Sequence, residues 1–230
     1  MNYSRFKPLI GADAFNTLTT SHVLVVGCGG VGSFVVEALA RSGIGSLSIV
    51  DFDIVEPSNI NRQLMALHST LNLRKVDVLK QRILDINPSC EVHTYAMHFN
   101  QDTANHICHV PYDFIVDAID SVTHKIELIE HAINKQIPII SIMGQGNRLD
   151  PSALTIKDIH KTTYDRLARA VRLGLRKRRI FDKVPVVISE TSAIDVDRNL
   201  GFVCSSAFVP SSAGLLAASY VVRQIIGGAS

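Results

Sequence analysis

The hydrophobic and polar positions of this chain alternate between short apolar runs and longer stretches with helical spacing. Four apolar residues at 23–26 precede a segment, 33–40, in which apolar residues recur every three or four positions. This succession repeats up to residue 150 and predicts strands alternating with helices. Such chains form mostly parallel sheets with helices on both faces, so we predict an α/β, Rossmann-like doubly wound fold. The predicted strands are 23–26, 46–53, 91–97, 112–120, 137–146 and 184–190, and the predicted helices are 33–40, 74–86, 101–110, 123–135 and 213–222.

The turn between the first strand and helix carries a glycine pattern. Gly27, Gly29 and Gly32 fit G-x-G-x-x-G, in which the first glycine permits a tight turn and the second admits a phosphate close to the backbone. The third lets helix and strand pack closely, and the helix N-terminus offers free N–H donors. The next predicted strand ends in Asp51 and Asp53, where an acid that binds ribose is expected. The pattern predicts a nucleotide site and leaves NAD and ATP both open.

Charged side chains that follow successive strands indicate which of these two nucleotides the site binds. Attack of a carboxylate on the α-phosphate of ATP brings two anions together, so it calls for cationic side chains and a magnesium ion. Lys75 begins the helix after Asp51, and Asp120 ends a later strand, where it could hold the metal. Together with the polar run that follows Asp53, these residues favour ATP. That run consists of Asn59, Asn61, Arg62 and Gln63.

The net charge of +2 hides a basic segment at 157–183. This segment contains ten Lys or Arg residues and three Asp residues, so its local charge is +7. Its apolar residues recur with helical spacing, which predicts a basic helical insertion with most arginines on the polar face. A cationic surface of one sign, rich in arginine, is typical of a binding site for a polyanion. The predicted contact residues are Arg166, Arg169, Arg172, Arg176, Lys177, Arg178 and Arg179.

Length and composition predict one domain over residues 1–230. Hydrophobic residues make up 47% of the chain, enough for a large core, and no apolar run reaches the roughly 18–20 residues that span a bilayer. The first residues lack the apolar run of a signal peptide. The four cysteines lie far apart without a C-x-x-C pair, so we expect neither a zinc clip nor a redox pair, and a cytoplasmic protein without a membrane partner.

Four segments resemble the ThiF/MoeB/HesA family of ATP-dependent activating enzymes, which is related to ubiquitin-activating enzymes. They are VVGCGGVGS, LSIVDFDIVEPSNINRQ, RKVDVLKQRILDINP and DFIVDAIDS. Within the family, LARSGIGSLSIVDFD, IMGQGNRLDPSAL, VPVVISE and the basic segment are most similar to the branch of tRNA threonylcarbamoyladenosine dehydratases. Like that branch, the chain lacks the zinc-binding C-x-x-C pairs. It departs from the branch at 165–167, where DRL stands in place of Asp-Pro-Leu.

The resemblance implies a single ThiF-type adenylation domain that activates the carboxylate of N6-threonylcarbamoyladenosine in tRNA with ATP. An attack from within the same modification then closes a ring and releases AMP. An intramolecular nucleophile has a high effective concentration, so the reaction needs no catalytic cysteine. By analogy, Arg62 and Lys75 neutralise phosphates, Asp51 binds ribose and Asp120 holds Mg²⁺. The ATP-binding residues so implied are Gly27, Gly29, Gly30, Gly32, Asp51, Asp53, Asn59, Asn61, Arg62, Gln63, Lys75 and Asp120.

The resemblance also implies partners. Arg5 looks like the arginine that family dimers insert into the partner's active site, which makes the protein a homodimer with composite sites. The basic segment would bind the tRNA that carries threonylcarbamoyladenosine. Family members can work with a sulfur-transfer system that contains a cysteine desulfurase. Loops at 144–150 and 190–210 would hold a monovalent cation, Na⁺ or K⁺.

Three other functions stay open on the sequence. An adenylyltransferase for the C-terminal Gly-Gly of a ubiquitin-like sulfur carrier shares the ATP chemistry, but usually carries a zinc clip or a transfer cysteine. An NAD(P)-dependent oxidoreductase explains the glycine turn and leaves Arg62, Lys75 and Asp120 without a role. A non-catalytic scaffold or tRNA-binding regulator keeps the nucleotide fold but has no need of this charged set.

Overall fold

The computed structural model describes residues 3–227, in which seven strands form one sheet. The predicted domain spans 1–230, and its residues 1–2 and 228–230 lie outside the described part. The strands are β1 (His22–Val26), β2 (Ser46–Val50), β3 (Glu91–Tyr95), β4 (Phe114–Asp117), β5 (Ile139–Ile142), β6 (Leu154–Asp158) and β7 (Pro185–Ser189). The helices are α1 (Lys7–Ile10), α2 (Ala12–Thr20), α3 (Gly32–Arg41), α4 (Lys75–Ile86), α5 (Gln101–Ile107), α6 (Val122–Asn134), α7 (Arg166–Lys177) and α8 (Phe208–Ile225).

The strands lie in the order β3-β2-β1-β4-β5-β7-β6, and among the strand pairs of residues 3–227 only β6 with β7 is antiparallel. The predicted α/β, doubly wound class with a mostly parallel sheet is confirmed. The strands that follow β1 in the chain are added first on one side of it, beginning with β2, and then on the other side, beginning with β4. In parallel sheets, ligands bind beyond the carboxyl ends of the strands at this crossover.

Two hydrophobic clusters cover the two faces of the sheet. In β1, Val23 and Val25 belong to one cluster with residues of α3, α4 and α8, whereas Leu24 and Val26 belong to the other with residues of α6 and α7. Alternate side chains of a strand point to opposite faces, so an unbroken apolar run is buried on both sides. Within residues 3–227, none of the helices combines the length and apolar character needed to cross a bilayer.

The structure differs from the sequence prediction after residue 150. The basic segment 157–183 contains the end of β6, a 3-10 turn at Ile159–Lys161 and the helix α7, so the helical part begins at Arg166. Asp165 caps this helix by accepting a hydrogen bond from the Ala168 N–H at 2.8 Å. The predicted strands 46–53, 112–120 and 137–146 end earlier, and their last residues form the loops that carry the candidate site.

The first loop, between β1 and α3, depends on close backbone packing. A Cβ atom on Gly32 would lie 1.7 Å from the carbonyl oxygen of Gly27, and one on Gly27 would lie 2.6 Å from the carbonyl oxygen of Ala118. Gly27 also has a φ of 91°, a conformation that favours glycine. Gly29 has space for a side chain. The atom nearest to a Cβ atom added at Gly29 would be the Gln63 Nε2, at 3.9 Å.

We therefore expect Gly32→Ala to lower the free energy of unfolding by about 3 kcal/mol or more, because no side-chain rotation relieves a clash with backbone. Gly29→Ala is the matched control and should cost less than about 1 kcal/mol, because its methyl group has space. Urea denaturation followed by circular dichroism measures both. Equal stability losses for the two variants would contradict the packing argument.

Candidate active site

A cavity of about 770 Å³ opens at the carboxyl ends of β1, β2 and β4. The glycine turn lies at one side of it, and the loops that follow β2 and β4 lie around it. Of the predicted ATP-binding residues, Gly32 and Asn61 lie outside its wall. The predicted residues that line it are Gly27, Gly29, Gly30, Asp51, Asp53, Asn59, Arg62, Gln63, Lys75 and Asp120.

The buried carboxylate of Asp51 fixes the glycine turn against the end of β2. One carboxylate oxygen accepts a hydrogen bond from the Cys28 N–H at 2.6 Å, and the other accepts one from the Asp53 N–H at 2.9 Å. The Gly27 N–H donates to the carbonyl oxygen of Val50 at 2.8 Å. Burial raises the pKa of Asp51, and the Lys75 ammonium and the two N–H donors oppose that shift. The turn and the acid are thus one rigid unit.

Lys75 lies where the helix spacing predicted it, at the first position of α4. Its ammonium is 2.7 Å from a carboxylate oxygen of Asp53, and the residue is only 4% exposed. The side chain of Asp53 is 43% exposed, so it keeps contact with solvent while its partner does not. The ion pair holds a buried positive charge at the cavity wall, and water there does not screen it as it would at the surface.

Arg62 projects from a turn that its neighbours hold in place. Its Nη1 donates to the Ser58 carbonyl oxygen at 2.9 Å and to the Asn61 Oδ1 at 2.8 Å. The Asn61 Nδ2 in turn donates to the carbonyl oxygen of Ser205 at 3.0 Å, which ties this turn to the loop before α8. Asn61 was predicted to be one of the ATP-binding residues. In the structure it orients Arg62 and ties the loop, and its own side chain stays outside the cavity wall.

Two other amides of this turn have different surroundings. Asn59 is buried, and its Oδ1 accepts the Glu56 N–H at 3.1 Å, so its oxygen shapes the turn. The Oε1 of Gln63 is buried at the cavity wall and has no hydrogen-bond partner among residues 3–227. An unpaired buried acceptor is costly, so this oxygen is available to a donor on a ligand.

Asp120 lies three residues beyond the end of β4, exposed at the cavity wall. The described part of the chain contains no group of three or more His, Cys, Asp or Glu side chains that could hold a metal ion. A metal bound by this carboxylate therefore needs ligands of another kind, such as amide or carbonyl oxygens, water or a bound phosphate.

The sequence analysis missed an aromatic group at the other side of the cavity. The His98 ring stacks on Phe52 with centroids 3.6 Å apart, and the His124 ring lies 5.5 Å from His98. All three residues line the cavity. Phe52 lies between the two aspartates of the predicted site, and His98 follows β3. The rule that ligands meet the carboxyl ends of strands could have identified both.

Arg5 lies far from the cavity of its own chain. The neighbouring Tyr3 ring packs 4.7 Å from Phe15, and a Cβ atom on Gly43 would lie 3.2 Å from the Tyr3 ring. Gly43 precedes β2, whereas the cavity lies at the opposite end of that strand. Arg5 is exposed there, so the structure does not bring it to the predicted site within one chain.

The basic helix α7 exposes most of the predicted tRNA-binding residues, but two of them make internal contacts. The Arg172 Nη1 donates to the Thr162 Oγ1 at 2.5 Å and to the Thr162 carbonyl oxygen at 3.1 Å, so it braces the helix against the preceding turn. Arg178 forms an ion pair with Glu130 of α6. The other predicted tRNA-binding residues are exposed; they are Arg166, Arg169, Arg176, Lys177 and Arg179.

Comparison with known proteins agrees with this architecture. The model of the ThiF family matches residues 3–227. A Bacillus subtilis (strain 168) protein named tRNA threonylcarbamoyladenosine dehydratase is 42% identical over 239 residues, which cover 97% of this chain and 94% of that protein.

Solved structures agree as well. The E. coli tRNA N6-threonylcarbamoyladenosine dehydratase TcdA in complex with AMP is 31% identical, with a TM-score of 0.91 over 97% of this chain and 94% of that one. The complex of TcdA with ATP is 32% identical, with a TM-score of 0.89 over the same shares. Because the family model and these relatives match almost the whole described chain, the resemblance drawn from the sequence motifs is confirmed, and the protein belongs to the ThiF family.

Proposed function

We propose that the protein uses ATP to activate the carboxylate of N6-threonylcarbamoyladenosine in tRNA and to close it into a ring, as an ATP-dependent dehydratase. The observation that carries this proposal is the cavity that joins a glycine turn, a buried acid and two cationic side chains. It occurs in a chain that is 42% identical to a dehydratase over almost its whole length. An NAD(P)-dependent oxidoreductase would give Arg62 and Lys75 no role.

ATP binding follows from the geometry of the cavity. The glycine turn and the N-terminus of α3 offer backbone N–H donors and a partial positive charge to the phosphates. Each oxygen of Asp51 already accepts one N–H and has a further lone pair for a ribose hydroxyl. The cationic groups of Arg62 and Lys75 face the same space, where they neutralise phosphate charge.

Metal ions have two suitable places. Asp120 would hold Mg²⁺, which typically binds one or two carboxylates and completes its shell with water and phosphate oxygens. Bound there, Mg²⁺ would supply charge neutralisation at the phosphates. For Na⁺ or K⁺, the loop 144–150 offers the buried oxygens Gln145 Oε1 and Asn147 Oδ1, neither of which has a hydrogen-bond partner within residues 3–227.

The reaction divides into two displacements. A carboxylate oxygen of the threonyl group bonds to the α-phosphorus, and the bond to the β-phosphate oxygen breaks, which releases pyrophosphate. A nucleophile in the same threonylcarbamoyl group then attacks the acyl carbon, loses its proton and expels AMP, so the nucleoside has lost one water. Arg62 and Lys75 stabilise the negative charge that accumulates in the first step. The substrate supplies the second nucleophile, so no thiol is required.

Three further features extend this proposal. Residues 1–230 form one adenylation domain, as the single sheet through all seven strands suggests. The exposed arginines and lysines of α7 and its C-terminal end bind tRNA phosphates. Arg5 acts in the site of a second subunit, because its own cavity lies at the opposite end of β2. From the tRNA substrate we infer a cytoplasmic location.

The direct test incubates the purified protein with ATP and tRNA that carries threonylcarbamoyladenosine. We expect pyrophosphate release that depends on the modified tRNA, and an anticodon-loop nucleoside lighter by one water in mass spectrometry. Unmodified tRNA and a ubiquitin-like carrier that ends in Gly-Gly are the controls. Release with the carrier alone would assign the protein to the sulfur-carrier class, and no release with either would exclude both adenylation reactions.

In the same assay, Arg62→Ala and Lys75→Ala should each lower kcat/KM by about 100-fold or more, the usual cost of one charge-stabilising group. Arg74→Ala is the matched control, because Arg74 is exposed, adjacent to Lys75 and outside the cavity wall. Wild-type turnover in the Arg62 and Lys75 variants would contradict the proposed electrostatic role.

Simultaneous replacement of Arg176, Lys177, Arg178 and Arg179 by alanine should weaken tRNA binding and leave the affinity for ATP unchanged. The slope of log K against log salt concentration should decrease by about 0.9 for each duplex phosphate that the variant no longer binds. Fluorescence anisotropy with labelled tRNA, and calorimetry with ATP, measure the two affinities. Equal losses for both ligands would count against a separate tRNA surface.

Complementation tests the composite site. We expect Arg5→Ala and Lys75→Ala proteins to be inactive alone, whereas their equal mixture after unfolding and refolding should recover about one quarter of wild-type activity. Half of randomly paired dimers are mixed, and each mixed dimer keeps one intact site if Arg5 acts across the interface. Each variant refolded alone is the control. A mixture without activity would place Arg5 outside the partner's site.

A further inference from the structure

A second cavity, of about 830 Å³, adjoins the proposed ATP cavity; the function described so far uses Asn147 and Arg166 from its wall but assigns no ligand to the space itself. Four residues, Gly144, Gly146, Leu167 and Val203, line both cavities and form a shared rim. Volumes of this size are typical of small-molecule sites, and the shared rim shows that the two spaces lie next to each other.

The second cavity lies at the start of the basic helix. Tyr164, Asp165 and Arg166 line it, and α7 begins at Arg166. The exposed cationic residues of the proposed tRNA surface continue from this point along the helix. A polynucleotide bound along α7 would therefore pass the mouth of this cavity, and the cavity in turn adjoins the ATP cavity.

Apolar side chains at the mouth are unusually exposed. Tyr164, Phe202 and Val203 have exposed fractions of 67%, 67% and 69%. All three line the second cavity. Exposed aromatic rings beside a cationic surface are typical of sites where unpaired bases stack.

The interior contains a buried cation with incomplete pairing. Arg148 is 6% exposed and lines the cavity. Its Nη1 donates to the Thr191 carbonyl oxygen, and its Nη2 lies 4.0 Å from a carboxylate oxygen of Asp165. Its Nε–H is buried and lacks an acceptor among residues 3–227. Asp165 is itself occupied in capping α7, so the guanidinium favours an additional anionic or carbonyl group nearby.

We propose that the second cavity receives the N6-threonylcarbamoyladenosine nucleotide after it turns out of the anticodon loop. The base stacks at the mouth against Tyr164 and Phe202, and the anionic threonyl group passes Arg148. The carboxylate crosses the shared rim toward the α-phosphate of ATP. The inference rests on the proposed dehydratase function and deepens it, because it assigns the recognition of the modification to residues outside the ATP cavity.

The test compares anticodon stem-loops with and without threonylcarbamoyl on adenosine, bound to Tyr164→Ala and Phe202→Ala proteins. We expect each variant to bind the modified stem-loop about tenfold more weakly, as for the loss of one base–aromatic stack. The unmodified stem-loop should bind as it does to wild type, because it has no threonyl group to contact Arg148 and hold its adenosine in the cavity. Affinity for ATP should not change. Phe181→Ala is the matched control, because Phe181 is 68% exposed at the far end of the basic segment and lines neither cavity.

The outcomes separate this inference from the proposed function. If wild-type protein releases no pyrophosphate with modified tRNA, the proposed function fails. If wild type is active but both variants match Phe181→Ala for the two stem-loops, the second cavity does not receive the nucleotide. Equal weakening of modified and unmodified stem-loops would also overturn the inference. Thermal unfolding of each variant shows whether the fold is retained, and two independent positions protect the test against one unstable variant.

Discussion

The contact between the Gly27 carbonyl and the first turn of α3 at Gly32 is the constraint on which the site depends. Only glycine permits these two backbone segments to approach so closely, and the approach fixes the turn at the side of the cavity. Asp51 then fixes the turn from the other side by accepting the Cys28 N–H. Because backbone and a buried carboxylate hold this geometry, the side chains of Arg62 and Lys75 need only supply charge.

Much of this arrangement could be predicted from the sequence. The apolar runs are buried on both faces, so their length and spacing identified strands such as β1 without any tertiary information. The position of Lys75 followed from helix geometry, because the first residue of a helix that leaves a parallel strand lies near the carboxyl edge. Local backbone rules determine these features. The charged residues near the glycine turn in the sequence also favour ATP over NAD, independently of the family resemblance.

Other features depend on contacts between distant segments and could not be predicted. The strand β6 (Leu154–Asp158) has few strongly apolar residues and is defined by its pairing with β7. Arg172 lies in an arginine-rich helix, and its inward direction depends on the acceptors of Thr162. The second cavity is lined by three segments that are far apart in the sequence, within 144–148, 164–167 and 192–203. Helical spacing tells which residues share a face, but it does not tell what packs there.

The ion pair of Lys75 with Asp53 has a consequence for the interval between one turnover and the next. An unpaired ammonium at this depth would attract any small anion from solution, and that anion would occupy the place of the nucleotide phosphate. With Asp53 in place, an incoming phosphate must replace an existing counter-ion, so it gains less than it would from a bare cation. The pocket therefore binds phosphate less tightly than an unpaired cation would, and its products leave more easily.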